Sequence, residues 1–160
     1  MFVNGGGVKS GVDTGDITKS LRFRASGSTY MSRTPAGAGN RRTYTISFWF
    51  KRGSLGSIQN ICSAYNGVNN DRIYVAADDS ITFYLDDGTQ ATVPFSVSFR
   101  DPSSWMHMMV AVDTTQATAA NRVKLYINGA ERVPTSPTYP TLNYQGAFGN
   151  NVPQYWGRPA

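Results

Sequence analysis

The 160 residues include one cysteine, one histidine and one glutamate: Cys62, His107 and Glu131. A single thiol cannot close an internal disulfide, which fits a chain made in a reducing cytoplasm. Cys62 lies between Ile61 and Ser63 in a strand-like run and reads as a small core hydrophobe. One cysteine and one histidine also exclude a dedicated zinc site built from the usual ligands. No apolar run approaches the roughly 20 residues of a membrane helix, so no membrane partner is expected. The opening Met-Phe-Val-Asn-Gly-Gly-Gly lacks the basic start and apolar core of a secretory signal. A retaining glycosidase needs two carboxyl groups about 5 Å apart. Glu131 has no acidic partner two residues away, and Asp78-Asp79 and Asp86-Asp87 are adjacent pairs whose side chains diverge. There is no Gly-x-Ser-x-Gly elbow and no Gly-Lys-Ser/Thr phosphate loop. No catalytic residue is therefore assigned, and the chain is expected not to be an enzyme.

What is present points to strands and turns. Hydrophobic residues make up 40% and charged residues 16%, which excludes a solvated disordered chain. Sixteen glycines, eight prolines and nine tyrosines favour an all-β fold, and the length suits one domain with a real core. The net charge of +5 comes mostly from arginine, eleven against four lysines. These charges are scattered and no recognition helix appears, so nucleic acid is not an expected partner. Arginines spread in this way suit a solvated strand face or the carboxylates of a neighbouring subunit.

Residues 1–19 hold five glycines and no alternation, and read as a flexible arm or linker ahead of a domain over 20–160. Leu21, Phe23 and Ala25 alternate with Arg22 and Arg24 as a first strand, and Tyr30-Met31 begins a second. Pro35, Gly37 and Gly39 make 34–42 a loop. In 43–51, Tyr44, Ile46, Phe48 and Phe50 share a core-facing side and leave Trp49 opposite, either packed beneath a loop or offered as a sugar-stacking plane. Further strands follow over 58–65, around Ile73 and Val75, and over 81–85, with a hairpin signal at Asp87-Gly88. A return strand passes Val93, Phe95, Val97 and Phe99, where Pro94 implies a sheet edge or a bulge. Two strands then flank the polar span 114–122, and Asn128-Gly129 supplies the two positive-φ positions of a tight hairpin turn. Facing sheets should bury Phe48, Phe50, Phe83, Phe95, Leu125 and Ile127.

Trp105, His107, Val110-Ala111-Val112 and Leu125-Tyr126-Ile127-Asn128-Gly129 resemble the most recognisable segment of laminin-G-like, concanavalin A-like jelly-roll domains. The resemblance covers about 21–158 and implies a two-sheet antiparallel β-sandwich. Within it, Trp105 and His107 are expected to serve the core. Leu21-Arg22-Phe23 with Tyr30-Met31-Ser32-Arg33-Thr34-Pro35, and Ser47-Phe48-Trp49-Phe50-Lys51-Arg52-Gly53, look like versions found in bacteriophage structural proteins. That implies a virion protein: a head decoration or a tail or fibre component, made in the host cytoplasm, whose partners are other virion subunits in an oligomer or multi-copy assembly. The alternative is a free-standing lectin-like domain, or the remnant of a glycan-degrading enzyme.

Such domains normally add two closing strands beyond the Gly157-Arg158 region. The chain has no room for them, which leaves an expected open edge beside 21–23 for a partner to cover. Cell-surface glycans are the ligand the fold suggests. The loop Tyr65, Asn66, Asn69, Asn70, Asp71 and Arg72 offers a ring to stack with amides and charges for hydroxyls, and Tyr144, Tyr155 and Trp156 are candidates to join it. The family's rim calcium is matched only by Asn69, Asn70, Asp71, Asp78 and Asp79, hard oxygen donors without regular ligand spacing. No other cofactor is expected.

Overall fold

A computed structural model of the chain describes residues 19–24, 27–86, 88, 90–96 and 99–159. The arm expected over 1–19 lies, apart from Lys19, outside the described residues, as do Ala25, Asp87 and Val97 of the expected strands. Among the described residues ten strands form two antiparallel sheets, the all-β sandwich that the alternating pattern requires. In chain order they are β1 (Met31–Arg33), β2 (Thr43–Phe50), β3 (Gln59–Tyr65), β4 (Asn70–Val75), β5 (Ile81–Leu85), β6 (Ala91–Phe95), β7 (Met106–Asp113), β8 (Val123–Ile127), β9 (Ala130–Arg132) and β10 (Gln154–Trp156). The six-stranded sheet runs β1-β10-β3-β4-β5-β6 and the four-stranded sheet runs β2-β7-β8-β9. Pro94 lies in β6, at the edge of its sheet, where a missing N–H is tolerated. Asn128 and Gly129 turn β8 into β9 with φ of 50° and 81°. No helix among the described residues is long and apolar enough to cross a membrane.

The core follows from strand parity. Ile73 and Val75 of β4, Ile81, Phe83 and Leu85 of β5, Val93 and Phe95 of β6, Met108, Val110 and Val112 of β7, and Leu125 and Ile127 of β8 point between the sheets and are buried. Cys62 joins them, and burial pushes its thiol pKa up. Phe48 and Phe50 face inward from β2 but are only partly buried, because β2 is an edge strand.

Three expectations about this layout are corrected. Residues 21–24 form no strand: Leu21 is 67% exposed, and Phe23 lies against Gly157 rather than in a sheet. Among the described residues the long unpaired edge is therefore β2, eight residues without a charge or a proline, and β10 is inserted between β1 and β3. Trp105 and His107 do not serve the core. With Met108, Val110 and Val112 inward, odd-numbered positions of β7 face outward, and Trp105, just before the strand, is 48% exposed. His107 Nε2 bonds Ser47 Oγ at 2.8 Å on the outer face, with its ring 5.3 Å from the Trp49 indole. Trp49 accordingly packs beneath no loop and is 52% exposed.

Candidate functional site

The alternation that sends Ile73 and Val75 inward takes Asp71 with them. Asp71 is fully buried and accepts from Tyr144 Oη at 2.7 Å, Ala147 N at 2.6 Å, Phe148 N at 3.2 Å and Asp86 N at 3.3 Å. Burial pushes its carboxyl pKa up, and these four donors pull it back down. Asp71 thereby anchors 144–148 over one end of the sandwich, where Phe148 stacks on Phe83 with centroids 6.2 Å apart. Arg41 Nε donates to the Gly146 carbonyl at 2.7 Å and holds the same segment from outside. A Cβ at Gly146 would lie 1.9 Å from Asp71 Oδ2, so only glycine lets the chain pass this close.

The expected ligand loop therefore divides. Asn66 closes a local turn by accepting from Val68 N and Asn69 N, and Asn69 Nδ2 donates to Asp86 O at 2.8 Å and to Tyr144 Oη at 3.1 Å. With Asp71, these residues hold the loop's shape and present little to a ligand. Tyr144 is buried beside them, and Trp156 faces the core, edge-on to Phe48 at 5.1 Å. The calcium candidates do not converge. Asp79 is buried against Arg52 at 2.9 Å and Gly56 N at 3.1 Å, while Asp78 accepts from Ser80 N and Oγ. Among the described residues no group of three His, Cys, Asp or Glu side chains could hold a metal.

Tyr65, Asn70 and Arg72 turn the other way, onto the outer face of the six-stranded sheet. Register assembles that face from segments far apart in sequence. Ser32, Tyr155, Ser63, Arg72, Tyr84 and Thr92 form one row across β1, β10, β3, β4, β5 and β6. Asn60, Tyr74, Thr82 and Pro94 form the next row, and Tyr65 pairs with Asn70 at the far end. The Arg72 guanidinium carbon lies 4.9 Å from the ring centres of both Tyr74 and Tyr84. That of Arg158 lies 4.7 Å from Tyr30 and 4.9 Å from Tyr155. Desolvation and the nearby Asp86 charge push the Tyr84 hydroxyl up, so its proton stays available to donate.

The polar accounting on this face is incomplete. Asn60 Oδ1, Asn70 Oδ1 and Arg72 Nε are buried side-chain atoms with no hydrogen-bond partner, and all three belong to outward-facing residues of β3 and β4. These atoms have almost no exposed surface, and Asn60, opposite Tyr74, lies four β4 residues along from Asn70, so they do not form one cluster that a ligand could bond. The opposite sheet also presents an aromatic, Trp49, beside His107, whose Nε2 is bonded to Ser47 Oγ.

Register across five strands could not be read from the sequence, so Tyr30, Tyr74, Tyr84 and Arg158 were missed as members of one surface. A usable signal was the outward parity of Arg72 and Tyr74 beside inward Ile73 and Val75.

The comparisons agree with this architecture. The sequence profile of the Laminin_G_3 family, described as the concanavalin A-like lectin/glucanases superfamily, matches residues 25–158. Domains LG4-5 of the mouse laminin alpha1 chain superpose with a TM-score of 0.59 at 14% identity, covering 82% of this chain and 32% of that one. A heptameric SAP-like pentraxin from Limulus polyphemus superposes at 0.53 with 13% identity, covering 82% of this chain and 58% of that one. This chain thus spans about a third of the laminin fragment and under two thirds of the pentraxin. No curated protein matches it.

Proposed function

Because the chain belongs to the concanavalin A-like lectin/glucanases superfamily, we propose that it is a non-enzymatic glycan-adhering module, carried in many copies on a bacteriophage head or tail. The observation that carries the glycan reading is the pair of guanidinium groups, Arg72 and Arg158, each set against two tyrosine rings along one outward-facing row of the six-stranded sheet. Sugar rings present apolar CH faces that stack on aromatic planes and hydroxyls that bond amides and guanidinium groups. Tyr30, Tyr74, Tyr84 and Tyr155 supply the planes, and the Arg72 and Arg158 guanidinium groups and the tyrosine hydroxyls supply polar groups for the hydroxyls.

Binding without hydrolysis is supported by how the carboxylates are used. Asp71 and Asp79 are tied into the interior, and Glu131 pairs with Lys124 at 3.3 Å on the opposite sheet. A virion role is supported by the phage-like wording of 21–35 and 47–53 and by the bare β2 edge, which a neighbouring subunit can extend by backbone pairing.

On a glycan array the wild-type chain is expected to bind. Tyr155→Ala and Tyr84→Ala should each weaken that binding about tenfold, with Tm within about 3 °C of wild type. Trp49→Ala should bind as wild type does. Loss in Trp49→Ala with retention in both tyrosine variants would move the site to the other sheet. Purified protein should also rebind virions stripped of it, and failure to do so would remove the virion reading.

A further inference from the structure

We propose that the ligand of this face is an acidic glycan, recognised through a carboxylate by Arg72 and Arg158; this rests on the glycan reading above and names the sugar class. Both guanidinium groups lie over paired tyrosine rings, which fix their planes, and neither is in an ion pair among the described residues. Three other arginines are spent on the protein itself. Arg52 is paired with Asp79, Arg41 is bonded to the 145–146 carbonyls, and Arg122 is bonded to Gln116, Ala117 and Pro140 carbonyls. Among the described residues Arg72 makes no side-chain hydrogen bond, and its Nε is buried. Arg158 donates through Nε to Pro159 O at 2.9 Å, and among the described residues its two terminal nitrogens have no hydrogen-bond partner.

A planar fork held flat and without an anion is matched best by a carboxylate, which accepts two parallel N–H bonds. Arg158 stacks on Tyr155, and Tyr155 lies two strands from Arg72 through Ser63. The Arg158 group sits between β1 and β10 and the Arg72 group between β4 and β5, three strand spacings or roughly 14 Å apart, within reach of a short oligosaccharide carrying acid groups and hydroxyls along its length. Two isolated cations with no basic stripe between them are a poor track for a phosphate backbone, which favours the sugar over a nucleic acid.

The test titrates the full chain with four probes: a sialylated trisaccharide, a uronate-containing tetrasaccharide, neutral lactose and a thymidine oligonucleotide. At least one carboxylated sugar should bind about tenfold more tightly than lactose, and added salt should shrink that margin. Whichever carboxylated probe responds identifies the source of the acid group. Arg72→Gln and Arg158→Gln should each bring the acidic sugar toward the affinity for lactose, with an unchanged melting curve. Arg72→Lys should recover only part of the loss, because an ammonium lacks the fork. Equal affinity for acidic and neutral sugars, or full preference in both Gln variants, would overturn the acidic assignment and leave the glycan face standing. Binding of no sugar would overturn the glycan reading itself, and tightest binding to the oligonucleotide would replace it.

Discussion

Asp71→Ala is expected to lower the stability of the domain by about 4 kcal/mol and its Tm by about 12 °C, a larger effect than any single truncation on the outer face. The reason is what the side chain leaves behind. Ala147 N and Phe148 N are buried and among the described residues bond only Asp71 Oδ2, so truncation strands two N–H donors in the interior, at about 1–3 kcal/mol each. The segment they belong to seats Phe148 on Phe83 and against Tyr44, so the loss spreads into the core. Asp71→Asn keeps one acceptor and should be roughly half as damaging. Thermal melts of the three proteins decide it. A Tm for Asp71→Ala within 3 °C of wild type would mean that 144–148 is held by something other than this carboxylate.

Arg52→Ala should lower the Tm by about 10 °C. Arg52 is buried, with its side chain 1% exposed, and donates to Asp79 Oδ1 at 2.9 Å, Ser54 O at 2.7 Å, Phe99 O at 3.1 Å and Gln59 Oε1 at 3.1 Å. Removing it leaves Asp79 without its main cation, since Arg100 approaches at only 3.5 Å from an exposed position. The Gly56 N–H and the Arg52 guanidinium hold the Asp79 carboxyl below its ordinary 3.8. A depressed folded pKa contributes stability that is present above that ordinary value and lost as pH falls through the lower folded one. The difference between wild type and Arg52→Ala should therefore be widest at neutral pH and narrow as Asp79 protonates. The double variant Arg52→Met, Asp79→Ala should melt higher than the two single losses would add to, since it buries no lone charge. Strict additivity would show that the pair is not coupled.

Much of the sandwich was legible because alternation is a local signal. Tyr44, Ile46, Phe48 and Phe50 declare one face of β2, and Val123, Leu125 and Ile127 one face of β8, whatever lies elsewhere in the chain. The same rule misled at Leu21 and Phe23, which pair with no strand among the described residues, and Phe23 lies against Gly157 instead. At Asn69-Asn70-Asp71-Arg72 polar composition suggested one exposed loop. The strand begins inside that run, however, so Asp71 goes in and Arg72 goes out. Trp105 and His107 show the converse, since the motif identifies the family while parity decides which face they occupy. The candidate site was least legible because its members, Tyr30, Arg72, Tyr84, Tyr155 and Arg158, meet only through strand register.

The central claim is that the outer face of the six-stranded sheet is where ligand docks. The most direct measurement is a backbone and tyrosine-side-chain NMR titration of the whole chain with the tightest-binding glycan from the array. The account predicts shifts concentrated on Ser63, Arg72, Tyr74, Tyr84 and Tyr155, with the Trp49 and His107 signals unmoved. Shifts confined to Trp49, His107 and the 66–69 turn, with that row silent, would contradict it.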